Sequence, residues 1–449
     1  MWRLKNLTQK KNIYIELSTS AMRIAVYTHS VAPSIDGVCR RFAGILWELS
    51  RQGHDVLLFT LEDKQLDLPP SVQYVTLEHM IFPSYPDKKV ARPSLRTLKR
   101  IMEHINKFKP TTLHITSDGF SHMFTFAGLV YNVPVLGSFH TDLLDLLKSH
   151  NANLFQKICV QSKECLDSLV LDSCATTSIS FSAKLKAQGI YCEHVIKTAV
   201  DIDTFDASKK NIKLRNEMMF GDKNGFLCVY VGRISKEKRI DVIVDAVKAL
   251  DGVYLAVVGD GPSAGVYAAL HGKHNRIYCK PKFLSHSELA EVYASSDLHV
   301  TASEFETLGN TVLEAFACSI PVVVPNTQGF KDTVSDKNDG FLFQPASAED
   351  AKKFILQLKN DSNLRKKMGA RGRAKVALCT VGNVVLDLLD WYKKGSKNRV
   401  NRTLMSKLGA VLLFIFTIPF TIFALTCYDF INMMLIAVGI FPAPNKKKD

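Results

Sequence analysis

Short apolar runs alternate with helical patterns along most of this sequence, and that alternation limits the fold more than any other feature. In the first half, the predicted strands are IAVYTH (24–29), HDVLLFT (54–60), TTLHIT (111–116) and VPVLGSFH (133–140). Apolar residues recur at helical spacing between them, as in residues 38–49. Strands joined by helices pair in parallel, because each crossover returns the chain to the same end of the sheet. The first half is therefore predicted to be a parallel α/β domain.

The second half follows the same organisation from residue 225 onward, without an obvious sequence repeat. Its predicted strands and strand–turn segments are GFLCVYVGR (225–233), VYLAVVGDGP (253–262), DLHVTAS (297–303), IPVVVP (320–325) and GFLFQP (340–345). One of the intervening helices is predicted over residues 308–318. We therefore expect two doubly wound, Rossmann-like domains that face a cleft, with ligands beyond the carboxyl ends of the strands.

Shifts in composition divide the chain further. The predicted segments are an N-terminal extension (1–21), an N-terminal domain (22–200), a polar connector (201–222), a C-terminal domain (223–395) and a basic juxtamembrane segment with a membrane anchor (396–449). Residues 408–427 are almost all apolar and are long enough to cross a bilayer. A shorter apolar run, 430–441, follows, and cations flank both runs. This pattern predicts a hairpin with both ends in the cytosol, with a single span or a re-entrant segment as alternatives.

Charge and cysteine usage narrow the class of ligand. The formal net charge of +14 favours an anionic partner, although a solvated basic surface would give the same count. Ten cysteines are scattered without a CxxC pair or a histidine cluster, so zinc-site spacing is lacking. Asp201 and Asp203 match an Asp-x-Asp metal motif, but they lie in the connector rather than after an early strand. We therefore predict no metal and no other cofactor.

Two segments of the second half carry groups suited to phosphate. VGRISKEKR (231–239) places Arg233 and Lys238 just after a strand, where two cations would neutralise a diphosphate leaving group. A solvated loop is the alternative for this segment. Thr307 and Leu308 are predicted to begin the next helix, whose free N–H groups and dipole attract phosphate.

Four further residues are candidates for contacts with a sugar or a nucleotide. Glu306 and Glu314 flank the predicted helix start, and a carboxylate there can accept hydrogen bonds from ribose hydroxyls. An acidic residue before a helix also stabilises its N-terminus, which is the structural alternative for Glu306. Gly37 lies in the first strand–helix loop and lets the backbone approach a phosphate or sugar closely. His140 ends a predicted strand, where it would either hydrogen-bond a sugar or serve the structure.

In order and spacing, these pieces resemble family 4 of the retaining glycosyltransferases over residues 22–395. The matching pieces are DGVCRR, SFHTD, VGRISKEKR, VGDGP, the run from HSELAEVYASS through IPVVV, and GFLF. The resemblance implies the GT-B fold, with the acceptor on the first domain and the donor on the second. Within the family, the chain is similar to sulfolipid synthases, which move sulfoquinovose from UDP to diacylglycerol, and to bacterial mannosyltransferases that act on lipids.

The resemblance also implies a role for each candidate. It implies that Arg233 and Lys238 bind the diphosphate and take part in catalysis. Glu306 and His140 would act in catalysis beside the donor sugar. Gly37 would contact the diphosphate, Thr307 and Leu308 would donate N–H groups to phosphate, and Glu314 would bind ribose. The family needs no bound metal. One departure concerns the glycine pair that follows the PVV strand in the family, because here the pair is Gln328-Gly329. Sugar specificity therefore stays open.

The acceptor is predicted from charge and from the apolar tail. Residues 87–109 concentrate cations that favour anionic lipid, with a solvated helix as the alternative. The predicted partners are a nucleotide sugar, expected to be UDP-linked, a lipid acceptor and the membrane, without nucleic acid. The terminal KKKD resembles a dilysine retrieval signal, with a simple basic anchor at the membrane surface as the alternative. We expect cytosol-facing domains at the endoplasmic reticulum rather than in a plastid. The alternatives are a dolichol-type or protein acceptor, or a non-catalytic membrane scaffold.

Overall fold

The computed structural model describes residues 21–31, 37–62, 66–82, 85–117, 121–149 and 154–400. Within these residues, the first domain contains a parallel sheet with the strand order β3-β2-β1-β6-β7-β8-β9. The strands of this domain are β1 (Arg23–Tyr27), β2 (Asp55–Thr60), β3 (Val72–Thr76), β4 (His79–Phe82), β5 (Tyr85–Ala91), β6 (Thr112–Thr116), β7 (Val135–Phe139), β8 (Ser173–Thr176) and β9 (His194–Val195). Its helices are α1 (Gly37–Arg51), α2 (Leu95–Phe108), α3 (His122–Val130), α4 (Leu143–Ser149), α5 (Leu154–Val170) and α6 (Ile179–Ala187). Strands β4 and β5 pair with each other in a separate antiparallel sheet.

The second domain contains a parallel sheet with the strand order β12-β11-β10-β13-β14-β15. Its strands are β10 (Phe226–Val231), β11 (Val253–Val258), β12 (Ile277–Cys279), β13 (Leu298–Val300), β14 (Val322–Pro325) and β15 (Gly340–Phe343). The helices that follow in the chain are α7 (Ile212–Met218), α8 (Ile240–Lys248), α9 (Ala264–Ala268), α10 (His286–Ala294), α11 (Asn310–Ala317), α12 (Gln328–Thr333), α13 (Ala348–Asn360), α14 (Ser362–Val376) and α15 (Val381–Val400).

Apolar strands explain why both sheets lie in the interior. β1 and β10 consist mostly of β-branched, aliphatic and aromatic residues, and β10 is buried along its whole length. Separate apolar clusters cover the two faces of each sheet, so helices must pack on both sides. These features confirm the predicted α/β class with two Rossmann-like parallel sheets.

The strand order reverses once in each sheet. The reversals lie between β1 and β6 and between β10 and β13, where neighbouring strands lead into helices on opposite faces. A crevice opens at such a point beyond the carboxyl ends of the strands, and ligands of doubly wound sheets bind there. The loops after β10 and β13 carry the predicted phosphate-binding segments, so the topology brings those two segments together.

Helix α15 packs on the first domain, although residues 223–395 were predicted to belong to the second. Its residues Leu388, Leu389 and Tyr392 are buried in the same apolar cluster as Ile24 and Val26 of β1. An amphipathic helix is held by whatever surface covers its apolar face, and here that surface belongs to the first sheet. The chain therefore crosses back between α14 and α15, and the predicted boundary at residue 395 does not coincide with the packing.

The predicted membrane anchor lies outside the described residues. The two apolar runs, 408–427 and 430–441, belong to the segment 401–449, which the structure does not describe. Among the helices of the described part of the chain, none combines the length and the apolar character needed to cross a bilayer. The anchor therefore stays a prediction from the sequence.

Candidate active site

Loops after β10 and β13 meet at the strand reversal of the second sheet and join two predicted site residues. The Nζ atom of Lys238 lies 2.8 Å from Oε2 of Glu306 and 3.4 Å from Oγ of Ser303. Both charged side chains are partly exposed, at 23% for Lys238 and 27% for Glu306. Arg233 is exposed on the loop that connects β10 to Lys238. The arrangement pairs the ammonium of Lys238 with one carboxylate, and Arg233 lies on the same loop.

The GDGP sequence supports the loop that carries Arg233. The backbone N–H of Ile234 donates to the carbonyl of Asp260 at 2.9 Å, so the two strand-end loops are hydrogen-bonded to each other. A Cβ atom on Gly259 would lie 2.0 Å from the carbonyl oxygen of Gly232, and φ at Gly259 is +135°. Only glycine fits such an approach without a backbone shift. The glycine at position 259 therefore allows the close packing that holds the Arg233 loop in place.

The helix that follows β13 begins two residues later than predicted. Gly309 adopts a left-handed conformation, with φ of +87°, and α11 starts at Asn310, so Thr307 and Leu308 precede the helix. Their carbonyl oxygens accept hydrogen bonds from Thr177 and Thr333, respectively. Their N–H groups have no hydrogen-bond acceptor among the residues that the structure describes. Two backbone donors at the start of a helix are suited to phosphate, which keeps their predicted role chemically sound.

Two helix N-termini approach each other across the cleft. Gly37 is the first residue of α1, and a Cβ atom there would lie 3.3 Å from Nδ2 of Asn310, the first residue of α11. Free N–H groups and aligned peptide dipoles give each helix start a partial positive charge. The close approach adds a second positive helix end to the predicted phosphate site.

Glu314 is buried and already bound at both carboxylate oxygens. Oε1 lies 2.9 Å from Nη1 of Arg40, which belongs to the first domain, and Oε2 accepts a hydrogen bond from the Tyr293 hydroxyl at 3.0 Å. Burial raises the pKa of this carboxyl, and the nearby Arg40 partly opposes that shift. A ribose hydroxyl that binds Glu314 must therefore share the carboxylate with Arg40 or displace it. Sequence reasoning did not identify Arg40, because the two residues are 274 positions apart.

His140 lies at the cleft, but protein groups engage both of its ring nitrogens. Nδ1 lies 3.1 Å from Nη1 of Arg41, and Nε2 lies 2.7 Å from Oγ of Ser138. The expected hydrogen bond from this imidazole to a sugar would therefore compete with both partners. The carbonyl oxygen of His140 accepts a hydrogen bond from the Thr307 hydroxyl at 3.0 Å, across the domain boundary. His140 is thus linked directly to the predicted phosphate-binding loop.

Gln328, which replaces the first glycine of the family's pair, also crosses the cleft. Its Nε2 donates to Oδ2 of Asp145 on α4 at 2.7 Å. Asp145 in turn forms an ion pair with Lys184. The side chain that departs from the family pattern therefore contributes to domain closure next to the predicted donor sugar.

The Asp-x-Asp sequence in the connector forms a local turn. Oδ1 of Asp201 accepts hydrogen bonds from the N–H groups of Asp203 and Thr204, at 3.1 and 3.0 Å. Such a side chain caps its own turn. This geometry gives Asp201 a structural role in its own turn.

Substitution of Gly329 tests how tightly the loop is packed. A Cβ atom at Gly329 would lie 2.4 Å from the backbone of Thr307 and 2.5 Å from the nitrogen of Leu308. We expect Gly329→Ala to lower the free energy of unfolding by about 1–3 kcal/mol and to raise the donor KM, because the phosphate-binding backbone must move. Chemical denaturation and donor titration measure the two effects.

In the control, Gly265→Ala, the Cβ atom meets nothing within 4 Å. Equal stability of the two variants would contradict the close approach.

Two known protein families match this chain, one in each half. Residues 35–166 match the family described as glycosyltransferase family 4, and residues 219–375 match glycosyl transferases group 1. The chain is 26% identical over 365 residues to a sulfoquinovosyl transferase from Arabidopsis thaliana, covering 78% of this chain and 69% of that protein. It is 25% identical over 340 residues to an alpha-monoglucosyldiacylglycerol synthase from Streptococcus pneumoniae, covering 72% and 75%.

A solved structure supports the fold in addition. Sucrose-phosphate synthase from Thermosynechococcus elongatus superimposes with a TM-score of 0.67 at 19% identity, over 83% of this chain and 98% of that one. At that identity the likeness shows the architecture only. The two family matches cover most of both sheets, and the predicted phosphate-binding segments lie where the topology predicts a ligand. The chain therefore belongs to the family 4 glycosyltransferases of the GT-B fold and is a transferase enzyme.

Proposed function

We propose that this enzyme moves a sugar from a nucleotide-diphosphate donor to a hydroxyl group of a membrane lipid, with retention of anomeric configuration. The observation that carries the proposal is the convergence of Lys238 with the N–H groups of Thr307 and Leu308 at the strand reversal of the second sheet. Cations and free N–H groups at one point are suited to a diphosphate. The donor we propose is UDP-linked, as the resemblance to sulfolipid synthases implies.

Stabilisation of the leaving group is the main chemical task of this site. When the bond between the anomeric carbon and the phosphate oxygen breaks, negative charge builds up on the diphosphate. Arg233, Lys238 and the two helix starts supply positive charge and fixed donors where that charge develops, which lowers the barrier. The acceptor oxygen attacks from the face that the diphosphate leaves, and its proton passes to the departing phosphate. We propose that these protein cations take the place of a metal ion.

A lipid acceptor is supported by relatives and by the surface of the first domain. One relative is named as an alpha-monoglucosyldiacylglycerol synthase, and the product in that name is a sugar attached to a glycerolipid. In this chain α2 exposes Leu95 to 86% and also exposes Arg96, Lys99 and Arg100. Exposed cations beside an apolar side chain suit an anionic membrane surface. With the predicted anchor at 408–441, we propose that the acceptor is reached from the membrane.

A donor and acceptor panel tests the proposal. Full-length protein is incubated with UDP-linked and GDP-linked sugars, UDP-sulfoquinovose included, in vesicles that contain diacylglycerol or a dolichyl phosphate. Mass spectrometry identifies the products, and proton NMR of the anomeric centre gives their configuration. We expect an α-linked glycolipid from diacylglycerol and a UDP-sugar. Product only from dolichyl phosphate would overturn the acceptor, product only from a GDP-sugar would overturn the donor, and an inverted product would overturn the mechanism.

A further inference from the structure

A buried row of hydrogen bonds leads from the cleft along one face of the first sheet to helix α15. Oγ of Ser138 on β7 lies 2.7 Å from Nε2 of His140 and 2.7 Å from Nε2 of His114 on β6. Nδ1 of His114 lies 2.6 Å from the hydroxyl oxygen of Tyr392 on α15. Ser138, His114 and Tyr392 have no exposed surface. None of these three residues belongs to the phosphate site, and the mechanism described above does not use them.

Arg41 fixes the direction of every hydrogen bond in this row. A guanidinium can only donate, so Nδ1 of His140, 3.1 Å from Arg41, must accept and carries no proton. The neutral ring of His140 therefore holds its proton on Nε2 and donates to Ser138. The Ser138 hydroxyl then donates its own proton to Nε2 of His114. The opposite direction would require His140 to accept at both nitrogens, which an imidazole cannot do.

His114 completes the row with its remaining proton. Burial lowers the pKa of its imidazole to about 3, with a smaller contribution from the positive charge of Arg41, so the ring is neutral at physiological pH. Because Nε2 accepts from Ser138, the single proton lies on Nδ1 and is donated to the oxygen of Tyr392. Fixed donor and acceptor roles of this kind set which tautomer a histidine adopts.

Aromatic packing holds both imidazoles in place. The ring of Phe42 on α1 lies 5.5 Å from the ring of His114 and 5.7 Å from that of His140. The ring of Trp391 on α15 stands edge-on to His114 at 5.2 Å. Side chains packed on several sides keep a single rotamer, which a hydrogen-bond row requires to stay continuous.

We propose that Arg41, Ser138, His114 and Tyr392 are positioning residues that hold His140 as its Nε2–H tautomer and, through its carbonyl bond to Thr307, fix the phosphate-binding loop. The effect on catalysis rests on the proposed function, because Thr307 is the residue that would offer its N–H to the donor phosphate. Tyr392 lies on the helix that leads to the basic tail, so the row also ties that helix to the cleft.

Nitrogen NMR of histidine side chains tests the row without any assay of activity. Full-length protein is labelled with ¹⁵N-histidine, and His140→Gln and His114→Gln identify the two rings by the loss of their signals. We expect His140 to show a bare Nδ1 and a protonated Nε2, and His114 to show the reverse. We expect Arg41→Met to release His140 into a mixture of tautomers. A protonated Nδ1 on His140 in the wild-type protein would overturn the proposal.

Kinetics then separate positioning from folding. Because each buried hydrogen bond contributes modestly, we expect Tyr392→Phe and Ser138→Ala to lower kcat by about threefold to tenfold, with little change in the donor KM. Ser138→Thr, which keeps the hydroxyl, should restore much of the loss. The matched control is Tyr254→Phe, which removes a tyrosine hydrogen bond of 2.9 Å to Asp222 in the second domain and should leave both tautomers and kcat unchanged.

The outcomes distinguish this proposal from the proposed function. If Tyr392→Phe and Ser138→Ala both keep the wild-type tautomers and the wild-type kcat, the positioning role proposed for this row is overturned. Equal losses in the Tyr254→Phe control would show general destabilisation and would overturn it too. If the wild-type protein shows the expected tautomers but transfers no sugar from any donor, the proposed function fails and the hydrogen-bond row stands.

Discussion

Replacement of Lys238 by alanine is expected to lower kcat by about 10²–10³-fold, because it removes a fixed positive charge at the point where the diphosphate leaves. In the structure the Nζ atom of Lys238 lies 2.8 Å from the carboxylate of Glu306, beside the proposed diphosphate site. The loss should appear mainly in kcat rather than in the donor KM, since the charge on the leaving group grows in the transition state. Single-turnover measurements with a saturating donor would record the effect on the chemical step.

The control for this prediction lies two residues away. Lys236 belongs to the same short helical turn, Lys236–Lys238, but its side chain is exposed. We expect Lys236→Ala to keep kcat within about twofold, because an exposed cation is screened by water and salt. A similar loss in both variants would mean that overall positive charge, rather than a placed ammonium, drives the reaction. Unchanged kcat in Lys238→Ala would remove Lys238 from the site.

Replacement of Glu314 by alanine is expected to raise the donor KM by about 10–100-fold. A hydrogen bond between a ribose hydroxyl and a buried carboxylate involves a charged acceptor, and such bonds contribute about 1.5–3 kcal/mol. The substitution also leaves Arg40 and Tyr293 without the partner that they share in the structure. The donor KM and the dissociation constant of the free nucleotide diphosphate, measured by calorimetry, should rise together.

Two further variants separate ribose binding from the contact with Arg40. Glu314→Gln keeps an acceptor for the Tyr293 hydroxyl, so we expect a KM between those of the wild type and Glu314→Ala. Glu291→Ala is the control, because it removes another hydrogen-bonded carboxylate of the same domain, 2.7 Å from Asn211. We expect its donor KM to stay at the wild-type value. Wild-type nucleotide affinity in Glu314→Ala would show that the carboxylate serves only to bind Arg40.

The secondary structure near the site was predictable except for its ends. The loops after β10 and β13 could be found because apolar strands stop abruptly before polar residues. The start of α11 could not be placed, since Thr307 and Leu308 fit a helix as well as they fit the loop. A left-handed Gly309 ends the loop, and a Cβ atom there would lie 2.8 Å from the ring of Phe330, which makes contact with it from 21 residues further along the chain. Local propensity does not contain such a contact.

Partners across the cleft were beyond sequence reasoning for a different reason. Arg40 and Arg41 were visible only as two cations in the DGVCRR segment. In the structure Arg40 contacts Glu314 and Arg41 contacts His140, and these partners are 274 and 99 residues apart in the sequence. Neighbouring helix positions point about 100° apart, so adjacent arginines reach different partners. Which partner each one meets depends on how the two domains face each other.

The sequence by itself determined the parallel α/β class, the two-domain plan and the chemistry of the strand-end loops, because apolar periodicity and residue type act locally. The tertiary structure decided that α15 returns to the first sheet, that Glu314 is bound by Arg40, and that His140 is held by a buried row ending at Tyr392. Those features depend on which surfaces are left uncovered once the sheets have formed. Long-range burial and hydrogen-bond geometry select these features, and the spacing of residues along the chain does not reveal either of them.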